Sequence, residues 1–382
     1  MTGGVEVSGT SSEPDGRTDV DDLVDRLCDA AAECTGDVDE VVAAAAERLA
    51  PLADDDARHE LVARAIARLD GLDVLERYLA DPDVDEVIVH RGIEVWIERD
   101  GRLAQVDRLP PGTVDVVVQR AVSPLGRRLD RTEPVIDARL PDGSRLCAVI
   151  APVAVDGSIV AIRRHRLRHI PIAAFAPPAV GAVLGRLVRC RANVLVTGAT
   201  SSGKTTLLAA LLGRCHRHER IVAVEDTAEL DLPDRHLVRL ETRRATADGV
   251  RSVDAAELVR TALRLRPDRL VVGEFRGDEA LAALQALNTG HDGSLATCHA
   301  NSALDGLRRL EGLVLQAAPA WPMTAIRRQV TRSVDAVVHV ERRDGRRTIA
   351  EIVEPIESDG EPDGRVVVDR SGVVGEFTRG RR

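Results

Sequence analysis

The stretch Asn193-Val-Leu-Val-Thr-Gly198-Ala-Thr-Ser-Ser-Gly203-Lys204-Thr205 constrains the fold of this chain more than any other. An apolar run suited to a buried strand passes directly into G-x-x-x-x-G-K-[ST], and the apolar run Leu207 to Leu212 then reads as a helix. Strand, tight turn and helix must follow one another within a few residues. Gly198 and Gly203 allow that turn and let backbone N–H groups converge on an anion, to which the helix adds its positive end. Lys204 is the only lysine among 52 lysines and arginines. A slim stem with a compact ammonium enters a narrow loop that a planar guanidinium does not fit. The candidate nucleotide-binding residues here are Gly198, Ala199, Thr200, Ser201, Ser202, Gly203, Lys204, Thr205 and Thr206. Thr205 is also a candidate ligand for Mg²⁺, which needs few protein ligands.

Two further apolar runs end in carboxylates, where ligands sit in parallel sheets. Ile221-Val-Ala-Val delivers Glu225 and Asp226, and Arg269-Leu-Val-Val-Gly273 delivers Glu274. Glu274 is the candidate catalytic base, with Glu225 as a second catalytic candidate, and Glu225, Asp226 and Glu274 join Thr205 as candidate metal ligands. The same acids also suit the capping of a following helix. His299, in Leu295-Ala-Thr-Cys-His299, is a candidate γ-phosphate sensor, with His291 a less direct one.

At 382 residues the chain exceeds what one core usually holds. Residues 1–20 are expected to be disordered and 21–70 helical. Short β-like runs over 71–162 imply a compact α+β domain, and 163–170 reads as an arginine-rich linker. Over 171–340, alternating strands and helices imply an α/β domain with a parallel sheet. The segment 341–382, punctuated by glycines, is expected to form a small β appendage. Six scattered cysteines with no C-x-x-C pair argue against zinc and against a disulfide framework. The start lacks a basic segment and apolar core, and the apolar window 170–188 carries prolines and Arg186, so neither a signal peptide nor a membrane span is expected.

The ordered stretches "VEDTAEL", "RPDRLVVGEFRG" and "TGHDGSLATCHANS" after the phosphate loop resemble the Asp, Walker B and His boxes of the type II/IV secretion and pilus-assembly ATPases. "GSRLCAVIAPV", "LETR" and "GRRTIAEIVE" are most similar to the tight-adherence pilus branch. The resemblance implies a RecA-like domain behind an α+β domain, a homo-hexameric ring, ATP and Mg²⁺ as ligands, and an integral inner-membrane platform protein as partner. It implies a cytoplasmic location, held to the inner face of the membrane through partners. It also implies nucleotide-facing arginines, matched here by Arg145, Arg163 and Arg243.

A nucleic-acid translocase or DNA-uptake motor could use the same core. Formal charge of −10 and 2% aromatic residues argue against one, and no stable nucleic-acid binding is expected. A nucleotide-binding scaffold without turnover is a third class, against which Lys204, Thr205, Glu274 and His299 stand together.

Overall fold

The computed structural model describes residues 16–32, 34, 36–99, 101–164, 170–243, 245, 249–288, 290–343, 345–357 and 361–378. The chain divides into two compact units, Met1–His165 and Arg166–Arg382. Most of the expected linker, residues 165–169, lies outside the described residues, as do residues 1–15.

The first unit begins with three helices, α1 (Gly16–Ala32), α2 (Val38–Leu49) and α3 (Asp55–Leu69). Residues 16–20, expected to be disordered, belong to α1. Asp37 and Asp54 cap α2 and α3 by accepting backbone N–H bonds from the first turns. Val24, Leu27, Val42, Ala45, Ala46, Leu61 and Ala65 form the core between the helices. After the short α4 (Glu76–Ala80) come β1 (Glu86–His90), β2 (Glu94–Arg99), β3 (Arg102–Arg108), α5 (Thr113–Val122), β4 (Val135–Arg139), β5 (Arg145–Val149) and β6 (Ile159–Arg163). The strands form one antiparallel sheet, ordered β3-β2-β1-β6-β5-β4. Alternation decides its faces. Val87, Val89, Val95, Ile97, Leu146, Val160 and Ile162 bury against Val114, Val117 and Val118 of α5, leaving the residues between them on the other face.

The second unit contains α6 (Pro178–Arg189), β7 (Val194–Gly198), α7 (Lys204–Leu212), β8 (Arg220–Glu225), β9 (His236–Glu241), α8 (Ala255–Ala262), β10 (Arg269–Val272) and α9 (Glu279–Leu287). It continues through β11 (Leu295–His299), α10 (Ala303–Ala317), α11 (Met323–Ser333), β12 (Ala336–Arg343), β13 (Arg346–Ile356), β14 (Asp363–Asp369) and β15 (Gly372–Val373). Among the described residues its nine strands share one sheet, ordered β15-β14-β13-β12-β7-β11-β10-β8-β9. From β9 to β12 the neighbours are parallel, and beyond β12 they are antiparallel. Helices cover both faces. Val194 and Val196 of β7 point into one core with Leu207 and Leu211, while Leu195 points into the other with Val224 and Leu310.

The strands that begin within 171–340 pair in parallel with one another, as the alternation of strands and helices implied, and residues 341–382 add antiparallel strands. Their strands extend the same sheet through β12, which pairs with β7.

Candidate active site

Parallel pairing brings the carboxyl ends of β7, β8, β10 and β11 to one edge of the second unit. The phosphate loop leaves β7 there. Gly203, at φ +103, precedes Lys204, the first residue of the nine-residue α7. A side chain at Gly198 would collide with the Val340 carbonyl oxygen of β12, and its Cβ would lie 2.5 Å from Ser202 Oγ. Ala199, Thr200 and Ser201 are exposed at the loop's tip, Ser202 is buried, and Thr205 and Thr206 are half-buried on the first turn of α7. Lys204 Nζ donates to the carbonyls of Gly198 at 3.1 Å and Ala199 at 2.9 Å, which keeps its stem along the loop. Burial lowers its pKa, and the Glu274 carboxylate opposes that shift.

The two adjacent acids after β8 have different fates. Glu225 is only 4% exposed. Its carboxylate accepts backbone N–H bonds from Glu229 at 3.1 Å and Leu230 at 3.2 Å, closing the loop beyond β8 upon itself. Burial raises its pKa to about 7 against the pull of those donors. Glu225, expected as a catalytic group and metal ligand, thus lies buried at the floor of the site with its carboxylate turned onto backbone N–H groups. Asp226 is exposed and is held at 2.9 Å by Arg276.

Arg276 was not legible as a site residue, yet it joins the other two acids. Its Nε donates to Glu274 at 2.9 Å, a second nitrogen bonds the same carboxylate oxygen, and a third reaches Asp226. One guanidinium thus spans the candidate base and the acid after β8. The signal was its place two residues beyond Glu274. The negative charge of Glu229 favours the charged forms of both Lys204 and Arg276, although burial still leaves the Lys204 pKa lowered, so this loop contributes a third acid near the site.

His299 ends β11 directly opposite Gly198, and Ala300 N–H donates to the Gly198 carbonyl at 3.4 Å. It therefore belongs to the site. His291 does not, because it precedes the opposite end of β11, with Nδ1 3.2 Å from the Ala286 carbonyl. Arg243 is exposed just past the carboxyl end of β9, bridged to Val253 and one residue from Thr242, which bonds the Asp226 carbonyl. Arg145 and Arg163 belong to the first unit. They stand opposite one another on β5 and β6, with Glu86 of β1 opposite Arg163 on its other side. Among the described residues no three or more His, Cys, Asp or Glu side chains cluster as a metal site. Of the candidate metal ligands, the Thr205 hydroxyl stands on the first turn of α7 and the carboxylates of Asp226 and Glu274 share Arg276, while that of Glu225 is turned onto backbone N–H groups. This sparse oxygen set suits Mg²⁺ when phosphate oxygens and water complete it.

The model of the family described as "Type II/IV secretion system protein" matches residues 68–361. A putative conjugal transfer protein of Mycobacterium tuberculosis is 40% identical over 299 residues, covering 74% of this chain and 84% of that protein. The type IV secretion system protein PtlH of Bordetella pertussis is 33% identical over 326 residues, covering 76% and 95%. The fold is also similar to that of the Legionella pneumophila ATPase DotB, with TM-score 0.55 at 19% identity over 73% of this chain and 79% of that one. No described helix is long and apolar enough to cross a membrane. With its phosphate loop, strand-end carboxylates and this likeness over most of its length, the chain belongs to the type II/IV secretion system protein family and is an ATPase of that family.

Proposed function

We propose that the protein is a Mg²⁺-dependent motor, assembled as a homo-hexameric ring, that works on an inner-membrane platform from its cytoplasmic side. The observation that carries this reading is the meeting of Lys204, Asp226, Glu274 and His299 at one sheet edge. Gly198 to Thr206 would cradle the nucleotide phosphates, with Lys204 as their point charge. Thr205 would hold Mg²⁺ with Asp226 or Glu274, and the ion when bound would neutralise developing phosphate charge. Glu274 would accept the proton of the attacking water, and Arg276 would fix the direction of that carboxylate. His299, beside Gly198, would donate to the γ-phosphate. Arg145, Arg163 and Arg243 would add charge stabilisation when the assembled protein closes on the nucleotide.

Of the machines such a motor could serve, "LETR" and "GRRTIAEIVE" favour a tight-adherence pilus. The M. tuberculosis relative's name favours a second reading, a conjugal transfer apparatus. Phosphate release by the purified protein with ATP and Mg²⁺ tests the core of the proposal, and light scattering tests the ring. No release above that of a Lys204→Ala variant, or a monomer under every nucleotide condition, would overturn it. Stimulation by DNA, rather than by vesicles carrying a platform protein, would move the reading to a nucleic-acid motor.

A further inference from the structure

Gly203 faces a side chain from far along the chain. A Cβ built on it would lie 2.6 Å from Cδ, 3.1 Å from Nε and 3.3 Å from Cγ of Arg347. Arg347 is the second residue of β13, which pairs with β12, which in turn pairs with β7. The same hairpin supplies the Val340 carbonyl that leaves no room for a side chain at Gly198. Both glycines of the G-x-x-x-x-G spacing are therefore packed against one hairpin. Glycine at such places lets another group approach the backbone closely, and at Gly203 that group is the stem of a cation.

From these contacts we infer that Arg347 is a nucleotide-binding residue, which places its guanidinium on the polyphosphate held by the loop. This rests on the ATPase reading of the site. The stem lies along Gly203, so the guanidinium stands within a few ångströms of the first turn of α7, where N–H groups and the helix dipole favour phosphate oxygens. Charge points the same way. Asp226, Glu229 and Glu274 face Lys204 and an Arg276 already engaged by two of those acids. A polyphosphate entering there needs further positive charge. Arg347 is half-buried and carries a planar fork suited to two phosphate oxygens at once. Because β13 and β12 are stitched to the loop strand, a phosphate that moves Arg347 also moves the hairpin.

The test is titration calorimetry of MgATP and MgADP binding to the full chain carrying Arg347→Met, Arg347→Lys or Arg346→Ala. Methionine keeps a stem on Gly203 and removes the charge. Arg346→Ala changes an exposed neighbour on the opposite face. Arg347→Met is expected to raise Kd for both nucleotides at least about tenfold with an unchanged nucleotide-free melting midpoint, Arg347→Lys to recover part of the loss, and Arg346→Ala to bind as the wild type does. Equal or tighter binding by Arg347→Met overturns the inference, the latter because it would make Arg347 a plug rather than a ligand. So does equal weakening in both Arg347 variants accompanied by early melting, which would be a packing effect. If the wild type binds neither nucleotide, the ATPase reading itself fails. Wild-type binding matched by Arg347→Met removes only the role of Arg347.

Discussion

Gly273 lies so close to Glu225 that a Cβ on it would stand 2.9 Å from the Glu225 Cγ. The residue that precedes the candidate base thus seals a buried carboxylate on the neighbouring strand. Because burial raises the Glu225 pKa to about 7, its proton favours the folded state. The stabilisation is complete below the unfolded value near 4.5 and is lost as pH rises through about 7. Comparing urea midpoints at pH 5 and pH 8 should show Glu225→Gln gaining on the wild type by up to about 3 kcal/mol as pH rises. Parallel pH curves for the two proteins would mean that the carboxylate is ionised throughout.

Glu274→Gln should bind ATP and lose at least about 100-fold in kcat, because an amide cannot take the water's proton. Arg276→Ala should lower kcat at least about tenfold with a smaller change in KM, because it frees the direction of Glu274 without touching the loop. The double variant should be little worse than Glu274→Gln alone. Full additivity would assign Arg276 a separate task.

Lys204→Arg should abolish turnover although charge is kept. The ammonium donates to two loop carbonyls in a space that a fork of three nitrogens does not fit. Near-normal phosphate release would show that charge alone suffices.

Gly306→Ala should destabilise the second unit by about 1–3 kcal/mol, since the new methyl would collide with the Thr197 Cγ2 methyl immediately before the phosphate loop. Gly312→Ala, on the same helix with no atom near the added Cβ, is the control and should be neutral or slightly stabilising. A thermal melt of each variant decides.

Arg145 and Arg163 lie directly opposite on adjacent strands, an arrangement that costs stability between like charges. Removing either should therefore shift stability by no more than about 0.5 kcal/mol. If they act on the nucleotide, each alanine variant should lower kcat at least about tenfold, and the pair should combine less than additively. Unchanged turnover in both would confine them to the sheet of the first unit.

The strand–loop–helix unit and the carboxylate-ended strands were legible because their signals are local: apolar runs, glycine spacing, and acids at run ends. The burial of Glu225 was not, since it depends on residues 229 and 230 folding back over it and on Gly273 arriving from another strand. Nor was the continuity of the sheet past β12. Short strands separated by glycines read alike whether they pair among themselves or with β7. Arg347 was not legible as a site residue. It lies within the stretch GRRTIAEIVE, but as one of 51 arginines it is distinguished only by the packing of its stem on Gly203.

The half-buried ammonium of Lys204 has a practical corollary. No other side chain in the sequence carries an ε-amine. Electrophiles that acylate amines consequently have a single side-chain target, and it lies inside the phosphate loop. Its lowered pKa increases the unprotonated fraction that such reagents require. Carbonyl contacts at Gly198 and Ala199 hold that nitrogen at the loop, so its acylation rate would report occupancy of the cradle. Where most proteins would need an engineered handle for a site-selective label, this chain carries one in the phosphate loop proposed to hold ATP.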